Sequence, residues 1–289
     1  MSTLHIDADI IPYLAINKEY GHHVVRNKLR TFTEIAESLG LDHVNMHVGA
    51  KSKGGREKFP WYQANRKGPK DPERTASLES TRQYIHQYNM GLITGTRWFD
   101  RETDDGLRAS MKPGDVLWSG DKDLKMVTGL HLELLPVVHI WETDATGFLK
   151  PPEKSKAKGG GNMFFWNQVM MGDSVDNIKP IKRGVGPATA YKLLNNLSEV
   201  EAYSACLKIA SFEELFPRMY CLWLRRNSNH LDLLDYLQEL GVPLKETLPT
   251  AQGILDKLQM PIEEMVIKKT DTAEPFQYPS EPIQGISLD

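Results

Sequence analysis

The sequence predicts an α/β protein with a mostly parallel sheet, followed by a helical region. Two observations support this prediction. Short apolar runs end abruptly in acidic or glycine residues and alternate with helical patterns, as parallel strands joined by helices do. From about Asn162 onward, strand signals cease and helical segments follow one another. At 289 residues the chain can bury a substantial core, in one large domain or in two tightly joined ones.

Four apolar runs supply the predicted strands, and two amphipathic segments between them supply helices. The first helix places Val25, Leu29, Phe32, Ile35 and Leu39 on one face and ends at Gly40, a suitable C-cap. The strand runs are TLHID (3–7), VNMHVG (44–49), GDVLWSGDKD (114–123) and HLELLPVVHIWETD (131–144), and the helical segments are 24–40 and 72–91.

The second half of the chain has a different organisation. Helical patterns occupy residues 163–172, 187–197, 199–210, 212–227 and 230–241. The stretch PPEKSKAKGGG (151–161) predicts a flexible basic loop, and the proline-rich and acidic residues beyond Lys269 predict a loosely ordered tail. We therefore expect an α/β region over 1–161 with a basic loop near 50–72, a helical region over 162–245, and a partly irregular extension over 246–289.

Composition excludes several classes of protein. No apolar run approaches the roughly 20 residues that a membrane helix needs, and the N terminus lacks the basic leader of a signal peptide. Cys206 and Cys221 are predicted to be buried thiols, which indicates the cytoplasm. The net charge of -3 argues mildly against nucleic-acid binding, but residues 51–70 concentrate seven basic residues with one acid.

Acidic residues recur at the ends of these elements, where loops of an open α/β sheet converge. A single acid there is more often an N-cap, a turn former or a surface charge. Asp9 in particular could cap the next helix. Repeated clustering would cost free energy by repulsion, which hard divalent cations such as Mg2+ or Mn2+ relieve. Two such ions roughly 4 Å apart suit phosphodiester hydrolysis. The candidates are Asp7, Glu102, Asp104, Asp105, Asp121, Asp123, Asp173 and Asp176.

Two further stretches suit contacts with phosphate. FPWYQANRKGPKDP (59–72) mixes Trp61 and Tyr62 with basic residues, which can neutralise phosphates and stack on bases, although a solvated lysine-rich loop has the same composition. RGVGPATAYKLL (183–194) combines a glycine turn with a helix start, where backbone N–H groups can bind phosphate; a plain helix connector is the alternative. The phosphate-binding candidates here are Lys182, Arg183, Gly184, Gly186 and Lys192.

Taken in order, the strand with Asp7 and the motifs YQANRKG, ETDD, SGDKDL and GDSVDNIKPIKRGVGPATA resemble the 5'-nuclease family. This family comprises flap endonucleases and 5'-3' exonucleases, and the resemblance is greatest to small phage-encoded members. It spans roughly residues 4–196. It implies a Rossmann-like, PIN-related sheet, a helix-three-turn-helix DNA-binding region, and two-metal cleavage of DNA with 5' ends, flaps or junctions.

The resemblance also assigns roles to individual residues. It implies one metal at Asp7, Glu102, Asp104 and Asp105, and a second at Asp121, Asp123, Asp173 and Asp176. It implies a gateway for the 5' strand at Tyr62, Asn65, Arg66 and Lys67, and a potassium ion on backbone carbonyls, for which Ile178, Ile181 and Val185 are the candidates. Two positions depart from the family pattern: residues 47–50 lack the usual aspartate, and Gln63 replaces the usual lysine.

The predicted function is that of a Mg2+-dependent, structure-selective 5'-nuclease that cleaves DNA near junctions of single and double strands. Primer removal in replication or genome degradation are the expected settings, in the host cytoplasm if the protein is phage-encoded. Two alternatives stay open: a DNA-binding protein of the same fold with weakened catalysis, and a PIN-type ribonuclease. Protein partners are not predicted.

Overall fold

The structure is a computed structural model that describes residues 1–16, 21–66, 68, 71–134 and 137–260. Its internal packing divides the chain into two units. The first unit comprises Met1–Gly54, Lys67–Ala145 and Leu224–Ser228, and the second comprises Gly55–Arg66, Thr146–Trp223 and Asn229–Asp289. Most of the predicted extension over 246–289, including the predicted tail, lies outside the described residues.

A seven-stranded sheet forms the centre of the first unit. Its strand order is β3-β4-β2-β1-β5-β6-β7, in which β4, β2, β1, β5 and β6 run parallel and the two outer strands run antiparallel to their neighbours. This arrangement confirms the predicted α/β class with a mostly parallel sheet. The strands are β1 Thr3–Asp7, β2 His43–Gly49, β3 Asn89–Met90, β4 Ile93–Trp98, β5 Val116–Trp118, β6 Gly129–Glu133 and β7 His139–Thr143.

Helices of the first unit cover this sheet because their apolar faces have the 3.6-residue period. Val25, Leu29 and Phe32 of α2 are buried in one core with Leu4 and Ile6 of β1. Gly40 lies two residues after Ser38, the last residue of α2, and has φ +67, a conformation that favours glycine. This confirms the predicted glycine cap. The helices are α1 Ile11–Ala15, α2 Gly21–Ser38, α3 Pro72–Gln87 and α4 Thr103–Ser110.

The carboxyl ends of the parallel strands lie at one edge of the sheet. β1 ends at Asp7, β2 at Gly49 and β5 at Trp118, and β1 pairs with both of its neighbours in parallel register. Loops that follow these strands therefore meet at the same edge. The first unit places its predicted acidic residues there.

The second unit is mainly helical and surrounds one apolar helix. Helix α5 is buried from Gly161 to Met170, as expected of a helix that is hydrophobic on all sides. The Trp166 indole N–H donates to the Tyr236 hydroxyl at 2.9 Å, and Trp223 stacks on Tyr236 with ring centroids 4.3 Å apart. The helices are α5 Gly161–Met171, α6 Pro187–Leu194, α7 Glu199–Leu207, α8 Phe212–Leu222, α9 Asp232–Glu239 and α10 Leu244–Lys257.

The prediction of a flexible loop over residues 151–161 is wrong. Strands β8 (Phe148–Glu153) and β9 (Lys156–Gly160) form an antiparallel hairpin there. Consecutive prolines suggested a loop, but both strands of a two-stranded sheet are edges, where a residue without an N–H is tolerated. The turn residues Lys154 and Ser155 have φ +48 and +63, as a tight two-residue hairpin turn requires.

Two smaller sequence predictions can be compared with this fold. The predicted boundary after residue 161 differs from the division by packing, in which the chain passes to the second unit between Ala145 and Thr146. The cysteines are buried as predicted, and burial raises the pKa of Cys206 to about 12. None of the helices in the described residues is long and apolar enough to span a membrane.

Candidate metal centre and nucleic-acid interface

Asp7, at the end of β1, is joined to the predicted acids after β5 by one hydroxyl. Ser119 Oγ donates to Asp7 Oδ2 at 2.7 Å and accepts the backbone N–H of Asp121 at 2.8 Å. Asp121 Oδ1 in turn accepts the backbone N–H of Asp123 at 2.9 Å. The loop after β5 is thus tied to Asp7 through Ser119, and the charge of Asp121 acts on Asp7. Ser119 was not singled out by the sequence, although it begins the SGDKD motif.

The electrostatics of this cluster disfavour the ionised carboxylates. Burial raises the pKa of Asp7 to about 6, and the charges of Asp9 and Asp121 add to the increase, whereas the Ser119 hydrogen bond opposes it. Asp104, in the first turn of α4, has a pKa well above its ordinary value because of burial and the negative charges of Asp7, Asp121, Glu102 and Asp123. Asp104 therefore lies close enough to four other predicted acids for their negative charges to act on it.

Glu102 and Asp105 belong to the same predicted set but have cationic partners. Lys53 Nζ lies 3.0 Å from Glu102 Oε1, so a lysine after β2 partly balances that carboxylate. Asp105 is 0% exposed. It accepts the backbone N–H of Arg225 at 2.9 Å, and the Arg225 guanidinium lies 3.8 Å away. These contacts favour a structural role for Asp105 over the predicted metal ligation.

Asp9, which lies between β1 and α1, contacts three further elements. Its Oδ1 accepts from Arg82 Nε of α3 at 3.1 Å and from the Gly49 N–H at 3.3 Å, and its Oδ2 accepts from Thr103 Oγ1 of α4. A Cβ on Gly49 would lie 2.7 Å from Thr103 Oγ1, so this junction requires glycine at the end of β2. Asp9 therefore fixes the start of α4 relative to β1 and β2.

His47 occupies the strand where the family's aspartate is missing, but it is packed in the interior rather than placed as a ligand. The Trp98 indole, which only donates, gives its proton to His47 Nδ1 at 3.1 Å. His47 Nε2–H must then donate to His5 Nδ1 at 2.9 Å, and His5 Nε2–H to Asp115 Oδ2 at 3.1 Å. Burial lowers the pKa of both imidazoles, so both histidines in this chain of hydrogen bonds are neutral.

The donors of the first unit fit a hard divalent cation. Asp7, Asp104 and Asp121 offer carboxylate oxygens that carry mutually repelling charges, and a bound cation would relieve this repulsion. Oxygen-only ligation suits Mg2+ or Mn2+. Glu102 would share its charge with Lys53, and no acid follows β2 at positions 47–50.

In the second unit, the predicted gateway is fastened to the loop that carries Asp173 and Asp176. The Gln63 amide and Arg66 Nη2 each donate to Asp176 Oδ1 at 2.9 Å, and the Gln63 N–H donates to the Asp176 carbonyl at 2.9 Å. Asn65 Nδ2 donates to the Ser174 carbonyl at 3.1 Å. The loop itself is closed by the reciprocal backbone bonds between Asp173 and Ile178. Gln63 thus binds a predicted metal ligand.

The other gateway residues differ in exposure. Tyr62 is 4% exposed, and its hydroxyl lies 3.4 Å from Asp176 Oδ2, so its ring is packed rather than presented for base stacking. Arg56 of the basic loop is buried and donates to the Trp223 carbonyl at 2.6 Å. The side chain of Arg66 is half exposed. Lys67 lies outside the described residues.

The predicted phosphate turn precedes α6. Gly184 has φ +90, a conformation that favours glycine, and Gly186 is the N-cap of a helix whose first residue is Pro187. Lys182, Arg183, Gly184 and Lys192 are exposed. Among the potassium candidates, the Ile178 carbonyl accepts the Asp173 N–H at 2.8 Å, and Val185 is buried. The roles of the turn and of the potassium site stay predictions.

Known proteins are similar to this chain in structure, and none was found that is similar in sequence. No protein-family model matches the sequence, and no curated protein matches it. The T5 D15 protein crystallised with metal ions is similar in structure, with a TM-score of 0.56 and 14% identity over 87% of this chain and 100% of that chain. The T5 5'-exonuclease with bound zinc ions gives a TM-score of 0.54 and 16% identity over 89% of this chain and 100% of that chain.

A third similar structure is a complex of a bacteriophage T5 D15 flap endonuclease variant with DNA and metal ions. Its TM-score is 0.53, with 15% identity over 90% of this chain and 100% of that chain. The chain has the fold of the T5 flap endonuclease. The resemblance found in the sequence is thereby confirmed at the level of the fold. The flap-endonuclease fold extends over both units, since the similarity covers nearly all of this chain.

Proposed function

We propose that this protein is a divalent-metal-dependent 5'-nuclease that hydrolyses DNA phosphodiesters near junctions of single-stranded and double-stranded DNA. The observation that carries the proposal is the carboxylate cluster at the carboxyl edge of the sheet, where burial and, after it, mutual repulsion raise the pKa of Asp7 and Asp104. The flap-endonuclease fold supports it, because the similar T5 proteins carry metal ions and one is bound to DNA.

Asp7, Asp104 and Asp121 would hold one or more divalent ions, Mg2+ or Mn2+, with Glu102 and Asp123 beside them. The sequence resemblance adds Asp173 and Asp176 to Asp121 and Asp123 as the second set of ligands, and this two-metal arrangement is part of the proposal. Bound ions would supply an activated water and stabilise the leaving oxygen. Ser119 would keep Asp7 oriented, since it donates to one of its oxygens.

DNA contacts are proposed for the second unit. The half-exposed Arg66 would meet a phosphate near the reacting bond, and Asn65 would hold the gateway against the loop at 174–177. The turn before α6, with Lys182, Arg183 and Lys192, would bind duplex phosphates without reading sequence. A potassium ion at this turn, a role in phage DNA replication and a location in the host cytoplasm belong to the same proposal.

A cleavage assay tests the proposal directly. The substrate is a 5'-labelled flap DNA, compared with a matched RNA, in Mg2+ and in EDTA. We expect Mg2+-dependent cleavage near the junction in the DNA alone, and loss of turnover with retained duplex binding in Asp104→Asn and Asp121→Asn. Either variant cleaving at the wild-type rate would contradict the metal assignment.

The contacts of Glu102 and Gln63 make a weakened enzyme the second candidate. Lys53 pairs with Glu102, and an uncharged amide replaces the expected lysine beside Asp176. Duplex binding by the wild type without metal-dependent cleavage would favour that candidate. Preferential cleavage of the matched RNA would favour a PIN-type ribonuclease.

A further inference from the structure

The hairpin of β8 and β9 presents two different faces. In an antiparallel pair, alternate residues point to opposite sides of the sheet. A Cβ on Gly159 would lie 3.0 Å from side-chain atoms of both Leu149 and Phe164, so the face containing Leu149 and Gly159 packs against α5. Lys150 and Lys158 are directly paired across the strands and are exposed, and they lie on the opposite face.

This outer face is strongly basic. Between Phe148 and Gly160 the hairpin contains four lysines and one acid, Glu153. Lys150, Lys154, Lys156 and Lys158 are all exposed. Glu153 lies 3.5 Å from Lys158 and is largely exposed, so this ion pair compensates the repulsion only weakly.

The arrangement is unfavourable for the hairpin on its own. Like charges placed directly opposite each other across two strands are destabilising. Lys154 and Ser155 add a cost, because they adopt positive φ without being glycine. A polyanion bound at this face would turn the repulsion of Lys150 and Lys158 into attraction.

The residues around the hairpin indicate which class of polyanion would bind to its basic face. Both strands of the hairpin pack against α6, the helix that starts at the predicted phosphate turn. Lys182, Arg183 and Lys192 of that turn and helix are also exposed. Lysines along one strand, such as Lys156 and Lys158, are spaced about 6.8 Å apart, so each can reach a separate phosphate.

We propose that the lysine face of the β8–β9 hairpin binds the phosphate backbone of duplex DNA, as a contact additional to the turn at Gly184. This inference rests on the proposed function, since it extends its duplex-binding surface. Lysine contacts to phosphate position the duplex and carry no sequence information. The binding should therefore depend on salt and hardly on base sequence.

The test compares two double variants of equal charge change. Lys150→Gln with Lys158→Gln removes the opposed pair, and Lys28→Gln with Lys112→Gln removes two exposed lysines of the first unit. Affinity for a labelled flap duplex is measured in EDTA over a salt series. Loss of two phosphate contacts should reduce the slope of log K against log salt by about 1.8 and weaken binding on the order of tenfold at low salt. The control should keep the wild-type slope.

Stability is measured in parallel to separate binding from folding. We expect the hairpin variant to melt at or above the wild-type temperature, because a like-charge pair is removed. If the hairpin variant melts at a lower temperature, a second double variant, Lys150→Arg with Lys158→Arg, separates lost charge from lost stability. DNA binding by this variant as tight as that of the wild type would support a charge contact, and weaker binding would overturn it. A wild-type slope in the hairpin variant overturns the inference while leaving flap cleavage, and with it the proposed function, untouched. A wild type that binds no DNA overturns both.

Discussion

Asp104 and Asp105 are adjacent in the sequence, and the structure predicts opposite effects when each is replaced by asparagine. Asp105 is fully buried against Arg225, and removing one partner of a buried ion pair costs about 3–5 kcal/mol. Asp105→Asn should therefore lower the free energy of unfolding by this amount, with or without metal. Asp104 instead contributes to a repulsive cluster, so Asp104→Asn should stabilise the metal-free protein.

The cost of ionising a carboxylate in this cluster can be worked out from Asp7, whose pKa is raised first by burial and then by the charges of Asp9 and Asp121. Its pKa rises from 3.8 to about 6 on folding, and each pKa unit corresponds to about 1.4 kcal/mol, which gives about 3 kcal/mol. Because the folded pKa is the higher one, this cost is present above pH 6 and disappears as the pH falls below the unfolded value. The pKa of Asp104 is raised in the same way, by burial and by neighbouring charges, so Asp104→Asn should increase the free energy of unfolding at pH 8 in EDTA, and this gain should vanish at low pH.

Urea denaturation followed by circular dichroism measures both effects at pH 8, in EDTA and in Mg2+. Mg2+ should stabilise the wild type and Asp105→Asn, and Asp104→Asn much less. The reasoning would be refuted by an Asp105→Asn protein as stable as the wild type, or by equal destabilisation of both variants in EDTA. Either result would mean that the division into a structural carboxylate and a metal-binding carboxylate is wrong.

Three further predictions follow from the same contacts. The rise in melting temperature caused by Mg2+ should be large at pH 8 and small at pH 5, because protons compete for Asp7; an equal rise at both values would contradict its raised pKa. Nitrogen NMR should show His5 and His47 as neutral Nε2–H tautomers below the pH at which an exposed imidazole is protonated, because burial lowers the pKa of both rings; an Nδ1–H tautomer in either ring would contradict the inferred chain of hydrogen bonds. Asp9→Asn, which removes the partner of the Arg82 guanidinium, should cost about 1–3 kcal/mol in urea unfolding and weaken Mn2+ binding measured by electron paramagnetic resonance. Unchanged stability and Mn2+ affinity would show that Asp9 does not hold the site.

The parts of the fold that the sequence predicted are those with strong local signals. The sequence predicts α2 with its glycine cap because the helical period shows as a pattern in consecutive residues. It predicts the acids after β1 and β5 because they directly follow short apolar runs. The β8–β9 hairpin was missed because its turn is Lys-Ser rather than Asn-Gly. The close approach of Gly159 to Phe164 of α5 also leaves no signal in the local sequence pattern.

The site shows the same distinction between local and distant information. Spacing predicted which acids lie at element ends, but it could not predict their partners. Arg225, which balances Asp105, lies 120 positions away, and Arg82, which balances Asp9, lies 73 away. A motif such as ETDD presents its two aspartates as equivalent, and only the folded chain assigns one to a buried ion pair.

The gateway segment illustrates how such distant contacts constrain function. Residues 55–66, which include the gateway candidates Tyr62, Asn65 and Arg66, lie between β2 and α3 in the sequence, yet they belong to the second unit. Gln63 and Arg66 bind Asp176 across more than 100 positions, and the Asn177 amide donates to the Trp61 carbonyl at 2.8 Å. Gln63 and Asn177 both adopt positive φ, so this junction holds two costly backbone conformations in place. These residues therefore cannot leave the Asp176 loop without losing these hydrogen bonds, and a change at Gln63 removes a hydrogen bond to Asp176, a predicted metal ligand.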